Sequence, residues 1–242
     1  MHMTEAGEQL LLNAARDLGL DLESHLPRFA RYFDLLTEAN KSTNLTAIRD
    51  EEGIVLKHFV DSLTCLIYPR LWQTDTVIDV GTGAGFPGLP LAIVCPNIRF
   101  DLLDATKKKI SFLEVVINDL GLKNATAIWG RSEELSHDLV KRETYGVALA
   151  RAVASIPVLM ELTLPLIRVG GFALLQKTAA AEAEIKQAQR SITVLGGSPP
   201  ELVPLQLPKT KDQRSLVIIN KTRPTPRQYP RKAGVSAKNP LS

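Results

Sequence analysis

From Thr76 onward the chain alternates five times between apolar runs of strand length and amphipathic runs of helix length. The strand runs are 76–80, 99–103, 125–129, 146–150 and 171–176. The helical runs lie near 89–94, 108–120, 133–141, 156–167 and 180–195. Strands that alternate with helices predict a parallel sheet covered on both faces, because each return to the same sheet edge needs a crossover segment. After the last helix come runs 201–207 and 215–220, linked only through the polar stretch 208–213. That link is too short for a crossover, so these two strands are expected to pair antiparallel at the sheet edge.

The first 72 residues read as helical. Leu10, Leu11, Ala14, Ala15 and Leu18 repeat at helical spacing, as do Leu26, Phe29, Ala30, Phe33 and Leu36. The polar stretch from Asn40 to Asn44 should break the second helix, and a third is expected over 51–68. The expected organisation is thus an N-terminal helical region over 1–72, an α/β domain over 73–221 and a tail over 222–242. Glu5, Glu8, Arg16 and Asp17 among the first residues argue against a signal peptide, which needs an uncharged core. No apolar run is long enough for a membrane helix. Cys65 and Cys95 lie in apolar segments without metal-binding spacing, as expected of buried thiols in a reducing cytoplasm; a disulfide or metal role is the alternative. Nothing in the sequence sets an oligomeric state, and a monomer is the simpler expectation.

The net charge of +3 is unevenly spread. From Lys221 onward there are six basic residues and no acid, so the preceding residues carry −3. A near-neutral globule with a basic tail suits a polyanionic partner. Four prolines follow Thr222 with little to bury, so the tail is expected to be mobile on its own and to order on RNA.

The run Val77-Ile78-Asp79-Val80 leads into Gly81-Thr82-Gly83-Ala84-Gly85-Phe86-Pro87-Gly88. Glycines here let the chain turn sharply and a ligand lie against bare backbone. Asp104 follows at the end of the next strand, where a carboxylate can accept hydrogen bonds from both ribose hydroxyls of an adenosine. Three readings are open: a turn with no ligand, a dinucleotide site, and a site for S-adenosyl-L-methionine. A carboxylate at Asp79, in the loop mouth, would repel a pyrophosphate, whereas S-adenosylmethionine has no phosphate and carries two cationic groups. Five βα units closed by a hairpin describe a class I, Rossmann-like methyltransferase: a mostly parallel seven-stranded sheet with helices on both faces and a helical N-terminal extension.

The motifs also carry a resemblance. Asn44-Leu45-Thr46-Ala47-Ile48-Arg49-Asp50, His58-Phe59-Val60-Asp61-Ser62 and the Ile78 to Leu91 stretch resemble the bacterial small-subunit rRNA methyltransferase G family, also called glucose-inhibited division protein B. So do Leu102-Leu103-Asp104-Ala105, Lys107-Lys108-Lys109, Arg131-Ser132-Glu133-Glu134-Leu135, Ala150-Arg151-Ala152, Gln213-Arg214-Ser215-Leu216-Val217 and Tyr229-Pro230-Arg231-Lys232-Ala233-Gly234. The likeness runs from about residue 25 onward. It implies methyl transfer from S-adenosylmethionine to N7 of a guanine in the decoding-centre loop of 16S rRNA, with the rRNA or the small ribosomal subunit as partner.

By that resemblance the cofactor would meet Gly81 and Phe86 in the first loop, Asp104, Ala105 and Thr106 after the second strand, Ser132 and Glu133 after the third, and Arg151 after the fourth. Asp79, Gly83 and Gly85 complete the expected cofactor set. Guanine N7 already presents an in-plane lone pair and needs no deprotonation, so no acid–base residue is expected. What remains is in-line placement, with Arg151 as the positioning residue and His58 as a second candidate. His58 and Asp61 share a helix face, which fits either a structural clamp or a substrate-facing pair. A basic surface for RNA is expected from Lys107, Lys108, Lys109, Arg131, Lys177, Arg214, Arg231 and Lys232, and no metal is expected.

Overall fold

The computed structural model describes residues 2–178 and 181–241. Helix α1 (Glu5–Asp17) starts where the Thr4 side chain accepts from the Gly7 amide, and it buries Leu11, Ala14 and Ala15. Helix α2 (Leu26–Thr43) buries Phe29, Tyr32, Phe33 and Leu36, and ends where Asn44 turns left-handed at φ 48°. The helix thus breaks within the polar stretch 40–44, as expected, at its far end. Asn40 stays helical because its buried side chain holds both the amide and the carbonyl of Thr46.

Asp50 caps α3 (Glu51–Ile54) through the Gly53 amide. A wider π-helical turn, Val55–Val60, leads into α4 (Asp61–Leu63) and two short 3-10 turns, Thr64–Ile67 and Pro69–Gln73. Such wide turns occur often at functional sites, and this one carries Lys57 and His58.

The strands are β1 (Thr76–Val80), β2 (Arg99–Asp104), β3 (Ala125–Trp129), β4 (Tyr145–Arg151), β5 (Ile167–Thr178), β6 (Glu201–Gln206) and β7 (Gln213–Asn220). They form one seven-stranded sheet in the order β3-β2-β1-β4-β5-β7-β6. The first five run parallel, and β7 pairs antiparallel with both β5 and β6, so the expected hairpin is present.

Helices α5 (Gly88–Val94), α6 (Lys107–Asp119), α7 (Ser132–Leu135), α8 (Ile156–Thr163), α9 (Ala181–Gln187) and α10 (Gln189–Val194) make the crossovers. The helix expected over 133–141 stops at Leu135, since the apolar residues of its continuation, Leu139 and Val140, are exposed. The run expected over 180–195 is two helices bending at the buried Ala188; Ala180 lies outside the described residues.

Alternation along each central strand feeds two cores. In β4, Val147 and Leu149 join the core that holds α5, α6 and the N-terminal helices, while Ala148 and Ala150 join that of α8 and α10. The N-terminal region has no separate core.

The tail corrects the expectation of a segment with nothing to bury. Lys221 is fully buried, with its ammonium on the carbonyls of Leu164 (2.7 Å) and Leu195 (3.3 Å) and 3.1 Å from Glu143. Arg142 donates to the carbonyls of Thr225, Pro226 and Tyr229, and a last short helix, α11 (Val235–Lys238), returns to the sheet edge. Partners drawn from distant segments order what its own composition could not.

Candidate functional site

The strand order reverses between β1 and β4, so the loops leaving their carboxyl ends diverge and open a crevice, the usual ligand position in sheets of this kind. The β1 loop is held from inside. Asp79 is only 1% exposed and accepts from the Thr82 hydroxyl (2.6 Å) and the Gly88 amide (2.8 Å). Burial pushes its carboxyl up to about 6. Its expected place at the loop mouth is thus corrected: two donors and desolvation make it a brace beneath the loop.

Gly81 turns at φ 73° and Gly85 at φ 108°. A methyl added at Gly85 would stand 2.5 Å from Leu89 Cδ1 and 2.6 Å from Tyr32 Oη, so only glycine fits there. Five of the loop's amides already have acceptors in the protein. Gly81 and Thr82 donate to the Leu103 carbonyl, Gly85 and Phe86 to the Thr82 carbonyl, and Gly83 to Asp104. A pyrophosphate would need those amides, so the loop does not suit a dinucleotide.

A cavity of about 460 Å³, within the range of small-molecule sites, opens beside this loop. Gly81, Asp104, Ala105, Ser132 and Glu133 line it, as expected, together with Lys109 and Arg131. Asp104 is fixed by the amides of Gly83 (3.0 Å) and Thr106 (2.8 Å) and by Lys109 Nζ at 3.3 Å. Ser132 donates to the Leu162 carbonyl. Two carboxylates, an apolar wall of Val80, Leu103 and Val158, and bare backbone at Gly130 suit a ribose diol, an adenine and a cationic tail. These residues fit S-adenosylmethionine. Gly83, Gly85 and Phe86 shape the loop without lining the cavity, and Thr106 serves as a partner of Asp104.

A second cavity of about 440 Å³ meets the first at Ala152. Strand alternation puts Arg151 on the face of Val147 and Leu149, toward the N-terminal helices, and Ala152 then turns left-handed at φ 55°. Arg151 donates to Asp61 Oδ2 (2.9 Å) and the Lys57 carbonyl (3.0 Å), and its guanidinium lies 5.2 Å from the Phe86 ring. Arg214 holds the other Asp61 oxygen at 3.0 Å. Lys177 pairs with Glu184 at 2.8 Å.

His58 stacks on Phe86 with centroids 4.5 Å apart. Its Nδ1 faces Arg151 (3.3 Å), which can only donate, so Nε2 carries the proton toward Thr46 Oγ1 at 2.7 Å. Burial, with Arg151 adding to it, lowers the imidazole to about 3, and the ring is neutral. Gln176 also lines this cavity; its amide nitrogen donates to the Asp61 carbonyl and to Thr64, while its buried Oε1 has no partner.

Of the basic residues expected on one surface, Lys107, Lys108, Arg131 and Lys232 are exposed. Lys107 stands over the exposed Trp129 ring. Lys109, Lys177, Arg214 and Arg231 hold carboxylates instead. Sequence reasoning missed Tyr32, whose hydroxyl donates to the Ala84 carbonyl in the loop, and Gln176, Glu184 and Gly234. Gln176 carried a signal, a polar residue ending an apolar strand; Tyr32 sits among helical apolar positions and carried none.

Residues 25–217 match the family described as rRNA small subunit methyltransferase G. The ribosomal RNA small subunit methyltransferase G of Deinococcus radiodurans is 47% identical over 99% of this chain and 94% of its own length. That of Leuconostoc citreum is 44% identical over 97% of this chain and 99% of its own. Among solved structures, the O-methyltransferase from Bacillus cereus in complex with SAH aligns with a TM-score of 0.56 at 16% identity, over 86% of this chain and 96% of that one, a likeness of fold alone. The chain belongs to the rRNA small subunit methyltransferase G family.

Proposed function

We propose that this protein methylates N7 of a guanine in the decoding-centre loop of 16S rRNA, in the cytoplasm, with S-adenosylmethionine held in the first cavity. The observation that carries this reading is the pairing, at the same sheet edge, of a cavity holding the Asp104 and Glu133 carboxylates with a second holding the Arg151 and Arg214 guanidinia. S-adenosylmethionine supplies the methyl group and the sulfonium leaving group. Asp104 and Glu133 orient it from one side, and the glycine loop bounds it from another.

The second cavity takes the guanine. Arg214 and Arg151 offer donors to O6, and Gln176 Oε1 offers the acceptor that N1–H or the exocyclic amine requires. The N7 lone pair forms the new C–N bond as the sulfur–methyl bond breaks, leaving a cationic base, and no proton is removed. A neutral His58 accords with that chemistry: it props Arg151 and Phe86 and takes no proton. Lys107, Lys108, Arg131 and Lys232 meet phosphates, while the other four basic residues hold the site together.

Mass spectrometry of small-subunit rRNA treated with the purified protein and S-adenosylmethionine tests the reading. Expected is one 7-methylguanosine in the decoding-centre fragment. Methylation elsewhere, or none on rRNA or on subunits, overturns it.

A further inference from the structure

The first cavity has a wall that the loops after β1, β2 and β3 do not provide. Gly234, Ser236 and Ala237, at the start of α11 and within it, line it together with Gly81 and Asp104. Two contacts seat them. Arg231 grips Glu161 through its amide (2.6 Å) and its guanidinium (2.6 and 2.9 Å), and Glu161 is 1% exposed. The Gly234 amide then donates to Glu133 Oε1 at 3.1 Å, so a carboxylate already facing the cavity is oriented by the tail. Ser236 is buried. Upstream, Lys221, Arg142 and the His137 contact with the Pro230 carbonyl at 2.9 Å hold the segment independently of these last contacts.

We infer that residues 231–238 form part of the S-adenosylmethionine site: they close one side of the cavity, and cofactor affinity depends on their being seated. The inference rests on the reading of the first cavity as the cofactor site. A carboxylate fixed by an amide is already oriented before a cationic ligand arrives, and a closed wall keeps water from competing for it. Lys232, proposed above to meet phosphate, then stands exposed on the same short segment as the cofactor wall, between Arg231 and Gly234.

Calorimetric titration of S-adenosylhomocysteine, with thermal melts as the check of folding, tests this in three variants. A chain ending after Pro230 keeps the upstream anchors. Ala237→Trp, at an exposed position, fills the cavity from the tail side. Asp104→Asn tests the cavity itself.

Expected is a rise in Kd of about tenfold or more in all three, with the Ala237→Trp variant melting like the parent. If Asp104→Asn weakens binding while the shortened chain and Ala237→Trp both bind within about twofold of the parent, the tail is no part of the site and this inference is overturned. If Asp104→Asn binds unchanged, the assignment of the cavity fails first. Should the shortened chain not fold, Ala237→Trp alone decides.

Discussion

The two cavities at the sheet edge are built from different material. The first is made by backbone: loop amides fix Asp104, and a tail amide fixes Glu133. The second is made by side chains that hold one another, with Asp61 between Arg151 and Arg214, His58 against Arg151, and Lys177 on Glu184. A site shaped by backbone survives side-chain changes nearby and fails when the chain path changes. A site shaped by ion pairs behaves in the opposite way, because removing one partner leaves the others buried and uncompensated.

The sharpest way to break that contrast is Asp61→Ala. Both guanidinia lose their carboxylate in a largely buried setting, so unfolding free energy should fall by about 3–5 kcal/mol and methyl transfer should collapse. Affinity for S-adenosylhomocysteine, measured on the folded fraction, should change little. A stability loss under about 1 kcal/mol, the scale of an exposed pair, would mean that the cluster does not hold the second cavity.

Next in size is Asp79→Asn, read by denaturant unfolding across pH. The carboxyl is raised to about 6 from 3.8, so between those values the folded state binds more protons than the unfolded chain. Stability from this group is therefore fully present below pH 3.8 and lost as pH rises through 6. A shift of that size corresponds to about 3 kcal/mol. The variant, unable to ionise, should gain on the parent by up to that amount between pH 4 and pH 7. Parallel curves for the two proteins would remove Asp79 from its buried position beneath the loop.

The smallest expected effect is a flat profile. His58 is lowered to about 3, so its share of stability is complete above 6.5 and is lost as pH falls toward 3. Turnover between pH 6 and 8 should show no step near the ordinary histidine value of about 6.5. A step there that disappears in His58→Gln would return a proton-transfer role to the second cavity.

Most of the sheet was legible because its signals are local. Five apolar runs, their spacing and a short link before β7 are enough to predict parallel strands closed by an antiparallel hairpin. The glycine loop and Asp104 were legible for the same reason, and Ala105, Ser132 and Glu133, named from the motifs after β2 and β3, line the first cavity, while Thr106 does not. What was not legible depended on partners far along the chain. Arg231 reads as an RNA contact until Glu161, seventy residues earlier, is seen beneath it. Asp79 reads as a ligand group until the Gly88 amide and the Thr82 hydroxyl enclose it. Lys177 and Arg214 read as surface charge until Glu184 and Asp61 are placed against them. Charge in a sequence gives the sign of a side chain; only the fold says whether that charge is already answered.

One contact has a wider consequence. Tyr32, from the middle of α2, is wholly buried and holds the Ala84 carbonyl inside the glycine loop, with its ring 5.5 Å from that of Phe86. Helix α2 lines neither of the two cavities, yet through Tyr32 it holds the loop whose Gly81 lines the first. If binding in the first cavity shifts the loop, docking of the N-terminal helices and that binding are thermodynamically linked, and linkage runs equally in both directions. A ligand that steadies the loop must steady α2 by the same free energy, which makes the helical extension a participant in binding at a distance.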